Sequence, residues 1–204
     1  MKRISSMQIC LLVLMLFASH AFGQKQTNVE VERVIRAAFF NPGFSYEDRI
    51  GRLQTIHFDA YFSTSAYYSY SSSLGADANV YFDPALMLQY RYYYNAPARE
   101  SKGKRTEMNS LNYFGPQFDM TFTKAALKQN SFEEESRRPV YTFGFVWGIQ
   151  RNYKKRLSLD LNLGLGYFFA KGTELGPADE KVSVNQSNFT TVGNVSLGFW
   201  LNKR

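Results

Sequence analysis

His57, Asp59 and Ser63 offer a base, an acid and a hydroxyl on one short stretch of chain. Together these types make a nucleophilic centre, in which a carboxylate orients the histidine and the histidine takes the serine proton. Their spacing limits that chemistry. In an extended strand all three share a face, but each step along such a face is about 7 Å, so His57 and Ser63 stand about 20 Å apart. Proton transfer needs hydrogen-bond contact, and only a serine from across the fold, Ser158 or Ser196, could complete the centre. A second arrangement is the carboxylate pair Asp83 and Asp119, which could activate a water, though no second histidine accompanies it after residue 23. Cys10 is the single cysteine, and no His, Cys or carboxylate group has metal-ligand spacing, so no catalytic, cofactor-binding or metal residue is assigned. What remains is electrostatic. Asp59, Asp83, Asp119, Asp160 and Arg91 alternate with apolar neighbours, and charges on a buried face persist only when paired or hydrogen-bonded. Arg91 needs a carboxylate; Asp59 is the first candidate by depth and Asp160 the second.

The elements that would carry these residues begin after a leader. Met1-Lys2-Arg3 is a basic start, Ile9 to Ala18 is apolar, and Ala21-Phe22-Gly23 is a small-x-small cleavage pattern, so residues 1–23 read as a signal peptide and residues 24–204 as the exported domain. The apolar run is about half the roughly 20 residues that a spanning helix needs. Cys10 leaves with the leader, and Met7-Gln8-Ile9 lacks the small residue that precedes a lipoprotein cysteine. Of 24 basic residues, Lys2 and Arg3 leave too, so 22 face 17 acids, a mild +5 that gives no reason to expect nucleic acid. In 204 residues, 18 Phe and 14 Tyr against 6 Pro lean toward strands and a sizeable core.

Alternation confirms that leaning. Leu157, Leu159, Leu161, Leu163, Leu165 and Tyr167 oppose Ser158, Asp160, Asn162, Gly164 and Gly166, a period of two that no helix produces. The same dyad runs through residues 53–64, 79–94, 109–124, 140–151 and 188–201, with Met87 the apolar exception on a polar face. Alternation alone would also suit a soluble secreted ligand-binding barrel with its apolar face inward. The polar faces decide the expectation: the six segments contain no Glu and one Lys, Lys124, and are otherwise mostly Gly, Ser, Thr, Asn, Asp, Gln and Tyr. Such short groups suit a crowded interior, and rows of Leu, Phe and Trp suit a lipid-facing band about 25 Å tall.

Connections sort into short ones, Glu47 to Arg52 and Asn152 to Arg156, an intermediate one, Asn95 to Met108, and long ones at 65–78, 125–139 and 170–187. Outer-membrane barrels place short turns in the periplasm and long loops outside. A seventh segment spans residues 35–47, and evenness requires an eighth. Either Asn28 to Val34 supplies it, or Asn41-Pro42-Gly43 is a turn that splits residues 30–50 into two short strands. Pro84 and Pro116 fall inside strands and should mark bulges. Tyr67, Tyr68 and Tyr70 among serines could be a recognition surface or an interfacial aromatic belt. Glu133-Glu134-Glu135 beside Arg137-Arg138 reads as a solvated charged loop.

The runs Asn41-Pro42-Gly43-Phe44-Ser45-Tyr46-Glu47, Tyr92-Tyr93-Tyr94-Asn95, Lys102-Gly103-Lys104, Asn112-Tyr113 and Leu157-Ser158-Leu159-Asp160-Leu161-Asn162 resemble small outer-membrane β-barrel proteins of Gram-negative bacteria, OmpA/OmpX-like and without an established common task. The likeness covers nearly all of residues 24–204. It implies an all-β, antiparallel up-and-down transmembrane barrel of eight strands in the cell outer membrane, with outer-membrane lipids and the barrel assembly machinery as partners. The chain departs from such barrels in ending Asn202-Lys203-Arg204, beyond Phe199 and Leu201, instead of on an aromatic residue. The expected role is structural or surface-interacting and non-catalytic, with the surface ligand unnamed. The alternative is an outer-membrane lipid-modifying enzyme, an acyl hydrolase or acyltransferase built on His57.

Overall fold

The computed structural model describes residues 28–71, 75–127, 134–176 and 180–202; the expected signal peptide, 1–23, lies outside them. Eight antiparallel strands form one ring-like sheet: β1 (Val34–Phe40), β2 (Gly43–Gly51), β3 (Gln54–Ser71), β4 (Gly75–Tyr92), β5 (Asn112–Thr123), β6 (Arg138–Asn152), β7 (Leu157–Leu175) and β8 (Lys181–Trp200). Each pairs with the next, and β1 returns to β8 through Arg36↔Trp200, Ala37↔Phe199 and Ala38↔Gly198. The turns after β2, β4 and β6 gather at one end with both described termini; this end is called the base here and the other the mouth. One five-residue helix, α1 (Ala96–Glu100), and a 3-10 turn (Glu107–Asn109) lie in the β4–β5 connection.

The first two strands come from the second of the two sequence options. Asn41, at φ 50°, takes the left-handed turn position that asparagine tolerates, Pro42 follows, and Gly43 starts β2. A side chain at Gly43 would strike the β3 backbone at Ala60 and Tyr61, which is why glycine stands there. Residues 28–33 are therefore not a strand. They cross the base, where Val31 donates its N–H to Arg52 O at 3.0 Å and packs with Leu53, Ala96 and Leu111.

Three other expectations need correction. The connection Glu47 to Arg52 is mostly β2, and Glu47 is a fully buried strand residue. The long loops 65–78 and 170–187 are largely strand: β3 and β4 are in register from Gln54↔Tyr92 to Ser71↔Gly75, and β7 and β8 from Leu157↔Phe199 to Leu175↔Lys181. Tyr67, Tyr68 and Tyr70 thus sit on a paired hairpin. Pro84 and Pro116 mark no bulge, since the register shifts fall between Ala38 and Phe40 and between Arg49 and Gly51. Pro84 lies just beyond the last β4–β5 pair, Ala85↔Thr121, and Pro116 in the gap between Gln89↔Gln117 and Tyr92↔Phe114, so each missing N–H falls where the β4–β5 pairing is interrupted, while Phe62↔Pro84 and Pro116↔Phe145 stay in register on the other side.

The faces fall as alternation requires. Leu161, Leu163, Leu165, Tyr167 and Phe169 of β7, Phe143, Phe145 and Trp147 of β6 and Phe189 of β8 turn outward, Leu165 and Phe189 with 73% and 82% of their surface exposed. Aromatic contacts such as Tyr141 with Phe169 and Tyr167 with Phe189 run along this outer surface. Inward, large meets small: Tyr113 lies opposite Gly148, where a Cβ would run into the tyrosine ring. That pairing fills a ring whose eight strands leave only enough room for side chains.

Candidate functional site

The interior near the base is a charged network built from seven strands, β1 to β7. Glu47 of β2 accepts bonds at Oε1 from Thr55 Oγ1 (2.9 Å), Tyr93 OH (2.5 Å) and Asn109 Nδ2 (2.8 Å), and at Oε2 from Gln150 Nε2 (3.2 Å). Asp160 of β7 lies 2.8 Å from Arg91 Nη1 and 3.1 Å from Arg36 Nη1, while Tyr113 OH donates to its other oxygen at 2.7 Å. Both arginines also approach Glu47, at 3.6 and 3.7 Å. Two guanidinium groups thus face two carboxylates, and Arg91 lies over the Tyr113 ring, 4.2 Å from its centroid. The packing leaves a void of only about 10 Å³ among Arg36, His57, Asp59, Arg91 and Asp160.

The base is closed from below by chain rather than by side chains alone. Asn109, at φ 57°, receives Glu32 N on Oδ1 at 2.7 Å and reaches both Glu32 O and Glu47 with its amide nitrogen. Met108 O takes bonds from Gln150 and Asn152. On the outer rim of the base, Arg49 of β2 lies 2.5 Å from Glu30 Oε2 and holds that carboxyl below its usual range by hydrogen bond and charge. Arg33 pairs with Asp48 at 2.9 Å on the same rim.

Toward the mouth the polarity persists and the packing opens. From Arg91 a chain of bonds climbs through Gln89, Gln117 (2.6 Å) and Asp119 (2.7 Å) to Tyr61 OH (3.5 Å). There a cavity of about 300 Å³ opens, lined by Tyr61, Ser63, Gln117, Asp119, Thr142 and Thr190 among others.

Residues singled out in the sequence end in different places. His57 is fully buried, and its hydrogen bond is to Arg36, with Nη2 3.1 Å from Nδ1; a guanidinium only donates, so Nδ1 is the acceptor. Among the described residues no serine hydrogen-bonds His57, and Ser63 belongs to the mouth cavity. Asp83 and Asp119 are both inward, but Asp83 pairs with Arg137 at 3.6 Å, whereas Asp119 takes its bonds from neutral groups. The expected Arg91 to Asp59 pair does not form. Arg91 lies opposite Thr55 and Asp59 opposite Met87, and the carboxylates Arg91 meets are the second candidate, Asp160, and Glu47. Glu47 and Arg36 are the two members that sequence reasoning missed. The loop expected to be solvated is partly tied down: Glu134 approaches Arg138 at 3.7 Å, and Lys124 donates to Glu135 O at 2.5 Å.

The fold and its site define a class by geometry: an eight-stranded antiparallel ring, apolar outside and charge-paired within. No family model, curated protein or solved structure matches the chain.

Proposed function

We propose that the protein is an outer-membrane β-barrel, exported by a cleaved leader and folded by the barrel assembly machinery, that serves the cell envelope in a structural or surface-interacting role without catalysis. The observation that carries this reading is the inversion of polarity across the wall. Leu157 to Phe169 present an outward apolar residue at every second position, while Ser158, Asp160 and Asn162 between them are buried. In water such a wall would expose a patch far larger than soluble monomers carry; against lipid it is the favourable surface. A ring of strands also satisfies the backbone inside hydrocarbon, as an open sheet would not. The polar, charge-paired interior supports a structural role: Arg36 occupies the ring nitrogen that a catalytic His57 would need free.

Fractionation tests the reading. The protein should stay with the outer membrane after carbonate washing and change its gel mobility on boiling, because a closed barrel resists detergent unfolding. Recovery in the soluble periplasm would end it.

A further inference from the structure

The ring is not equally tall all round. β1 and β2 stop at their turn, Asn41-Pro42, whereas β3 runs on from Tyr61 to Ser71 and β8 begins at Lys181, well above its last β1 pair, Leu197↔Phe40. β3 and β8 do not pair with each other, so a notch two strands wide cuts the wall from Asn41 toward the mouth. Two strand widths with their flanking gaps come to about 14 Å. The notch interrupts the apolar band, with Phe62 on its β3 side and Phe189 on its β8 side, both exposed.

Its edges are capped by side chains rather than left open for another strand. Asn41 clips the floor, giving Nδ2 to Asn194 Oδ1 (2.9 Å) and Val195 O (3.0 Å) and receiving Thr64 N on Oδ1 (3.3 Å). Higher on β8, Phe189 N donates to Asn188 Oδ1 at 2.8 Å and Thr191 O accepts Thr190 Oγ1 at 3.2 Å. Groups so engaged are poor templates for strand addition.

A groove of about 690 Å³ occupies the notch. Its outer part is lined by Phe40, Trp147, Leu163 and Val195, and it shares Tyr61, Ser63, Thr191 and Gly193 with the polar mouth cavity. One path therefore leads from the apolar outer surface to Asp119. That carboxylate is 8% exposed and has no ion pair among the described residues; Gln117 and Tyr61 supply its hydrogen bonds. The rim arginines Arg137 and Arg138 approach Asp83 and Glu134 instead. Among the described residues no cation lines the cavity, so an anionic head would meet the Asp119 carboxylate unscreened by them, while an ammonium would supply a counter-charge.

We infer that the notch is a lateral entry site for a single-chain amphiphile with an amine head, its chain lying along Leu163 and Val195 and its ammonium reaching Asp119. The inference rests on the membrane reading, because the chain arrives from the lipid side. The exported chain, refolded in neutral detergent, would be mixed separately with dodecylamine, dodecyl phosphate and dodecyl glucoside, and adducts read by native mass spectrometry. Dodecylamine should form a one-to-one adduct and dodecyl phosphate none. Asp119→Asn should cut amine occupancy about tenfold, the loss of one charged hydrogen bond; Asp119→Glu should restore it, and Thr191→Trp should block the groove. Equal uptake of amine and phosphate, an Asp119→Asn protein that binds like the parent, or a dimer in place of an adduct would overturn the site. The boiling shift is read on every sample. A parent protein that keeps the shift without an adduct loses the site alone, whereas a parent without the shift loses the membrane reading itself.

Discussion

The two ends of the interior use the same residue types in opposite ways. At the base, Glu47 and Asp160 face Arg36 and Arg91, Tyr93 and Tyr113 fill the remaining space, and the chain itself closes the floor through Val31, Asn109 and Leu111. At the mouth, Asp119 stands among amides and hydroxyls beside a cavity, and the wall is notched. A buried carboxylate with two guanidinium partners is a structural commitment, because removing one member strands the others in low dielectric. A carboxylate with neutral partners and room beside it is not so committed. On the proposed reading, stability belongs to the base and binding to the mouth.

The sharpest way to break that division is to delete matching carboxylates. Asp160→Ala should cost about 3 to 5 kcal/mol, since it leaves Arg36 and Arg91 facing only Glu47 at longer range. Asp119→Ala should cost less, about 1 to 3 kcal/mol, the scale of the bonds that Gln117 and Tyr61 give its carboxylate. Urea unfolding in lipid vesicles measures both, and equal losses would erase the distinction. Combining Asp160→Ala with Arg91→Ala should cost less than the two single losses added together.

A smaller effect tests the wall between the halves. Leu161→Arg should cost about 2 to 4 kcal/mol at mid-membrane depth. Asn162→Ala next to it, losing contacts to Asn194 N and Tyr113 OH, should cost less, about 1 to 2 kcal/mol. The reverse order would mean that the faces are exchanged. Within the base, Gly148→Ala should cost about 1 to 3 kcal/mol by forcing Tyr113 from its position. The smallest change is at the notch, where Asn41→Gly keeps the turn conformation but removes the clip, a loss of about 1 kcal/mol in the same titration.

Much of this was legible in the sequence wherever one face is uniform. Leu157 to Tyr167 alternates so strictly that strand and faces follow from the period, the short polar groups opposite point the apolar side outward, and the structure agrees. Beyond Phe169 the outward positions become Lys171 and Thr173, so the contrast between faces fades and continuing strand reads as loop. Glu47 was hidden by its charged neighbours Asp48 and Arg49, although Phe44 and Tyr46 alternating with Ser45 already placed it inward. Arg36 sits in Val34-Ile35-Arg36-Ala37-Ala38, where small residues on both faces leave no period to read. The Arg91 partner depended on side chains meeting across the ring. Strand stagger and closure determine such contacts, and counting residues from each strand end does not recover them.

The central claim is an apolar wall in lipid around an interior closed at one end and open at the other. Residues 24–204 contain no cysteine, so single-cysteine variants report directly on it. Three proteins refolded into sealed vesicles, Leu163→Cys on the outer face, Ser63→Cys in the mouth cavity and Gln150→Cys in the base network, would be exposed to a membrane-impermeant maleimide. Ser63→Cys should label rapidly, while Leu163→Cys and Gln150→Cys stay unlabelled until the protein is unfolded. Rapid labelling of Leu163→Cys in intact vesicles would put the apolar face in water and contradict the account.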